Sequence, residues 1–262
     1  MAKLEGNLQI TGSLDKLSFY KMRGSDKIIV RRKGGPSSKQ VKQSPKFENT
    51  RRNNREFGGR AAATAYIKNV LNPLRFLADY NITEPLNALL KPIQKMDTSN
   101  HWGQRDIIIS KNARLLQGFS INRRYQLDSI LRTPVLYSLQ NQLVIIDIPE
   151  LLPGLNFISP GNYPWYKFIA TAGLIPDVFY RDVAWGYQPK GDLSYFPSVN
   201  STDWLPMNAR AGATTLTIDG LPEVKPEDHS ILIAIGISFG AMQGTEIQPV
   251  KYVGADKVIG ME

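Results

Sequence analysis

Residues 231–239, ILIAIGISF, restrict the fold more than any other stretch. Side chains alternate across a strand, so Ile231, Ile233, Ile235, Ile237 and Phe239 share one face and Leu232, Ala234, Gly236 and Ser238 the other. The first face packs deeply. The small residues of the second require a neighbour that comes very close. A second signal is a hairpin, with strands at 135–139 and 143–148 joined by Gln140-Asn141-Gln142, whose return strand is apolar on both faces. Further strands are expected at 107–109, 115–121, 165–174, 178–187, 214–218 and 248–253, with Pro or Gly in most joints and no internal repeat. Short strands punctuated by turns predict an antiparallel β-sandwich, immunoglobulin-like in character, over residues 105–262.

Residues 1–104 read differently. Leu8-Gln9-Ile10 and 14–20 flank the turn residues Thr11-Gly12-Ser13, and 27–32 follows a turn at 23–26, which predicts a β-meander too small to be stable unless it packs on something else. Gly34-Gly35-Pro36-Ser37-Ser38 is expected to break regular structure as a flexible link. Ser44-Pro45 opens a helical stretch to about residue 80, with Phe47, Phe57, Ala61, Ala65, Tyr66, Val70, Leu71, Leu74 and Leu77 near one side. Gly58-Gly59 predicts a break or a very close contact within it, and Pro73 its end or a kink. A second helix is expected from Thr83, kinked at Pro92, with Leu86, Leu89, Leu90, Ile93 and Met96 on one face. The predicted class is α+β: an N-terminal β-meander with a basic arm, a helical hairpin, then the sandwich.

Charge is strongly polarised. Residues 1–60 hold 15 Lys+Arg against 5 Asp+Glu, whereas residues 61–262 hold 17 against 18. The arm should therefore touch something anionic or an acidic neighbouring subunit. Arg31, Arg32, Lys33, Arg51, Arg52 and Arg55 are the candidate partner or phosphate contacts. The aromatic residues Trp165, Tyr166, Trp185, Tyr187 and Trp204 are candidate interface anchors, with a sugar-binding platform as the alternative.

Catalytic chemistry finds no foothold. Without cysteine there is no disulfide, thiolate nucleophile or Cys-based metal site. His101 and His229 belong to no ligand pattern and read as turn or surface residues. Asp147 with Glu150, and Glu227 with Asp228, are acid pairs near strand ends, and solvated turn acids are the commoner case. Gly34-Gly35-Pro36 lacks the Gly-Lys-Ser/Thr of a phosphate loop. Neither a secretory signal nor a run of about 18 apolar residues is present, so synthesis in the cytoplasm and no membrane span are expected, with release, if any, as part of a particle.

Gly12-x-Leu14-x-x-Leu17-x-Phe19-Tyr20-x-x-Arg23-Gly24, then Val30-Arg31-x-Lys33-Gly34-Gly35, then Phe47-x-x-x-Arg51-x-Asn53-x-x-Glu56-Phe57-Gly58 resembles a group of uncharacterised proteins predicted from Bacteroidota genomes. The segments 160–164 and 250–254 are similar to that group too. The resemblance implies a bacterial origin and transfers no functional residue. The expectation from the residues is a non-enzymatic structural protein without cofactor or metal, forming a homo-oligomer or larger, phage-like assembly through its basic arm. The alternative is a nucleic-acid-binding protein that grips phosphate with residues 21–60.

Overall fold

The computed structural model describes residues 10–22, 27–182, 186–190, 196–222 and 227–262, and the backbone of 2–4. The chain divides into two compact units, Met1–Arg51 and Arg52–Glu262.

The first unit is a four-stranded antiparallel sheet of β1 (Ala2–Leu4), β2 (Gly12–Leu14), β3 (Leu17–Lys21) and β4 (Ile28–Arg32), in the order β1-β4-β3-β2. The turn falls at Asp15-Lys16 rather than at Thr11-Gly12-Ser13, because Asp15 accepts the left-handed backbone (φ 44°) that a tight reversal requires. The expected strand at 8–10 lies largely outside the described residues, and so does the turn at 23–26. The arm carries a short helix, α1 (Ser38–Gln43), closed by a capping box: Gln40 N donates to Ser37 Oγ, and Ser37 N to Gln40 Oε1. Regular structure thus resumes at Ser38, within the stretch expected to be a flexible link.

The boundary between the units falls within α2 (Glu48–Val70), which runs without a break through Gly58-Gly59. A Cβ on Gly59 would sit 2.7 Å from the Tyr187 ring, so the close contact, not the break, is what the glycine supplies. The packed stripe of α2 is therefore Glu56, Gly59, Ala63, Ile67 and Val70, while Phe57 and Ala65, expected on it, are exposed. A 3-10 segment, Asn72–Leu77, follows at Pro73, and then α3 (Thr83–Met96). The short helix α4 (Leu127–Ile130) precedes the sheets.

Two antiparallel sheets complete the second unit. One joins β7 (Trp165–Pro176), β10 (Ser198–Ser201), β11 (Leu205–Pro206), β13 (His229–Gln243) and β14 (Glu246–Met261), in the order β10-β7-β13-β14 with β11 also on β7. The other orders β12 (Thr214–Ile218), β6 (Leu143–Ile148) and β5 (Leu136–Gln140) as β12-β6-β5. A separate ribbon pairs β8 (Phe179–Tyr180) with β9 (Tyr187–Gln188). The β5–β6 turn is two residues, Asn141 (φ 45°) and Gln142 (φ 71°), the paired left-handed geometry that matches strand twist.

Strand β13 divides the interior in two. Ile231, Ile233, Ile235, Ile237 and Phe239 join Val144, Ile146, Ile148, Leu216, Tyr166 and Phe168 in a core between the sheets. Leu232 and Ala234 face the helices, packing with Ile67, Val70, Leu71, Leu74 and Leu77. The close neighbour expected on this side is the 3-10 segment: a Cβ at Gly236 would meet Leu74 at 2.8 Å and Leu77 at 2.9 Å, and one at Gly173 would meet Val70 at 2.8 Å. Because the helical layer shares its core with the sheet, the division falls at residue 51/52 and not at 104/105.

Residues 115–121 are not a strand. Ser110–Leu116 is a 3-10 segment, and the chain then runs along the β14 edge, where Gly118 N donates to Val258 O (2.8 Å) and Val258 N to Phe119 O (2.9 Å). Residues 107–109 contribute a single bridge, Ile107 to Val178.

Candidate functional site

The six basic residues singled out by the sequence have different surroundings. Arg31, Arg32 and Lys33 are exposed at the end of β4, where the Arg31 guanidinium lies 5.4 Å from the Tyr20 ring centre. Arg51 instead serves its own unit: its guanidinium donates to Val41 O (2.9 Å) and Ser44 O (2.8 Å), the carbonyls at the end of α1, and pairs with Glu48 at 2.7 Å. Three of its five N–H donors are thus spent within its own unit. Arg52 is half-buried over the Trp102 ring at 5.6 Å, and Arg55 is half-buried on α2.

The sheet beside Arg31–Lys33 is poorly covered. In register, Leu14 lies opposite Leu17, Leu17 opposite Arg32, and Phe19 opposite Val30, so one face carries an apolar strip with a cation at its border. Leu14 is 68% exposed and Leu17 39%, and among the described residues only Ile28 and Ile29 of this unit are buried apolar side chains.

The aromatic candidates separate in the same way. Tyr166 is fully buried between the sheets, with its ring centre 4.5 Å from Phe157, and Tyr187 is buried under α2. Both are core residues, not interface anchors, since aromatic rings give the largest burial per side chain. Trp165 and Trp204 are half-buried. Lys167 Nζ lies 5.1 Å from the Trp204 ring, which occupies the space beside Gly240. Trp185 lies outside the described residues.

The acid pairs do not converge. Asp147 accepts from Thr215 Oγ1 (2.8 Å), Glu150 pairs with Arg210, and Asp228 pairs with Lys190 at 2.6 Å. His101 is exposed, but His229 is buried at the start of β13, contrary to a turn or surface position, because that strand lies inside from its first residue. Among the described residues no three His, Cys, Asp or Glu side chains gather to hold a metal, and no helix is long and apolar enough to cross a membrane.

Three buried carboxylates, Glu56, Asp177 and Asp256, escaped the sequence. Glu56 accepts from Arg105 Nε (2.7 Å), Arg105 Nη2 (2.8 Å) and Gly103 N (2.9 Å). Burial alone raises its carboxyl, but Arg105, the Gly103 amide and Arg60 outweigh it and hold the group below its ordinary range. Asp256 on β14 accepts from Ile121 N (2.9 Å) and Ser120 Oγ (3.2 Å), so it fastens the covering strap to the sheet edge. Burial pushes this carboxyl up to about 7, against the lowering pull of those donors. The folded value lies above the unfolded one, so the contribution to stability is full in acid and is lost as pH rises to about 7. Asp256→Asn, which has no proton to release, should flatten the decline in stability between about pH 4 and pH 7, measured by urea melts across that range. A variant with the native slope would assign the decline to another group.

No family model matches the sequence, and neither a curated protein nor a solved structure is significantly similar to it.

Proposed function

We propose that this is a non-enzymatic structural protein that assembles with itself or into a larger, phage-like particle through its N-terminal unit. The observation that carries the reading is the state of that unit. It holds twelve Lys+Arg against four Asp+Glu, yet its sheet of short strands leaves Leu14 and Leu17 exposed, and among its described residues only Ile28 and Ile29 are buried apolar side chains. Such a sheet gains stability only by covering its apolar face, and a bordering cation favours an acidic neighbour. We read the second unit, with two antiparallel sheets around a common core, as a sandwich of immunoglobulin-like character that serves as the rigid body of each subunit.

The test is the native mass by light scattering after size exclusion, with the nucleic-acid to protein absorbance ratio read on the same peak. A multimeric protein-only species is expected, and Leu14→Glu combined with Leu17→Glu should reduce it to monomers. A native chain that is monomeric at micromolar concentration would refute assembly. The exposed run Arg31-Arg32-Lys33 favours a second reading, nucleic-acid binding. That reading predicts a monomer carrying nucleic acid, with affinity falling steeply with salt and lost when those three become alanine.

A further inference from the structure

A cleft of about 540 Å³ opens between the end of α2, the 3-10 segment and the start of α3. Its volume falls within the range of small-molecule sites, and its chemistry is one-sided. Lys68 and Arg75 line it with the carboxamides of Asn69, Asn72 and Asn81, and no carboxylate does. Arg105 pairs with Glu56, Lys190 with Asp228, Arg210 with Glu150 and Lys257 with Asp128, whereas Lys68 and Arg75, like most cations of this unit, form no ion pair among the described residues. Lys68 Nζ donates to the Thr83 hydroxyl (3.0 Å). Two cations facing one concavity repel each other, and an anion placed between them relieves that repulsion.

The floor is preformed. Leu71 in the lining is buried, and Leu74 and Leu77 on either side of Arg75 are buried and seated at Gly236, so Arg75 projects from a fixed segment. Tyr80, also in the lining, donates its hydroxyl to Ser120 O (2.8 Å) and has the Arg123 guanidinium 4.0 Å from its ring centre. With that ring already stacked, the cleft offers little to a flat base. Carboxamides suit hydroxyl groups; Asn81 Oδ1 already accepts from Thr83 N (3.1 Å), which fixes that side chain and leaves its amide to donate. The geometry points to a binding site for a small phosphorylated, hydroxyl-rich ligand, a sugar phosphate, with Lys68 and Arg75 on the phosphate and the asparagines on the hydroxyls. This site is independent of the assembly reading.

The probes are glucose 6-phosphate, inorganic phosphate and glucose, each titrated calorimetrically into the full chain. Glucose 6-phosphate is expected to bind, inorganic phosphate more weakly and glucose not at all. Lys68→Gln and Arg75→Gln should each weaken the sugar phosphate by about tenfold or more, as loss of a charge-assisted hydrogen bond implies, with unchanged melting temperature. Should a variant fail to fold, the native protein still decides: the Asn69, Asn72 and Asn81 side-chain amide resonances must shift on titration. Absence of binding, unmoved amides or undiminished affinity in both variants would overturn the site. Equal affinity for inorganic phosphate would overturn the sugar.

Discussion

Replacing Gly254 by alanine should unfold the larger unit or cost it more than about 4 kcal/mol. Gly254 has φ 145°, a conformation closed to side chains, and an added Cβ would run into the Ile237 carbonyl oxygen and lie 2.7 Å from Leu77 Cδ2. A backbone carbonyl in a paired strand cannot swing aside as a side-chain tip can. Gly244→Ala is the control. It has φ 67° with nothing within 4 Å of the added carbon, so only the conformational penalty of about 1–2 kcal/mol applies. Soluble yield and denaturant midpoints of the two variants compare them directly. Similar losses at both positions would refute the close approach of Gly254 to the Ile237 carbonyl.

Glu56→Ala is the second large effect, with an expected loss of about 3–5 kcal/mol, as when one partner of a buried ion pair is removed. The Arg105 guanidinium is 19% exposed and would lose both of its carboxylate bonds, and the Gly103 amide would lose its acceptor. Glu56→Gln keeps the shape and an acceptor, so it should fall between alanine and the native chain. The carboxyl is held below its ordinary range, so its contribution is present above the ordinary glutamate range and is lost as pH falls through the lowered folded value. Its sign is opposite to that of Asp256. Denaturation of Glu56→Ala at neutral pH, with a loss under about 1 kcal/mol, would mean that the pair is merely tolerated.

Much of the sheet was legible because alternation reports burial directly. The isoleucines of β13 and residues 214–218 follow a period of two, and the β5–β6 hairpin shows as two apolar runs about a polar turn. Gly59 was legible as a point of close contact, though not Tyr187 as the side chain that makes it. Tyr166 and Tyr187 were misplaced because an aromatic-rich strand has the same composition in a core as on a binding surface, and only the second layer distinguishes them. Arg51 escaped because its acceptors are carbonyls at the end of a helix that was not anticipated, although Ser37 and Gln40 are the capping pair that signals it. The cleft beside Lys68 and Arg75 was hidden for a related reason. Its residues come from three successive elements, and only their packing makes a concavity.

Translation order gives the seating of Leu74 and Leu77 a temporal meaning. They leave the ribosome roughly 160 residues before Gly236, a wait on the order of ten to thirty seconds at ordinary elongation rates. Until β7 emerges the apolar side of the helical hairpin has no strand to cover it, and until β13 emerges it has only part of the sheet. The helical layer can close fully only once β13 and β14 have emerged, so the packing that fixes the 3-10 segment cannot be completed before nearly the whole chain has been synthesised.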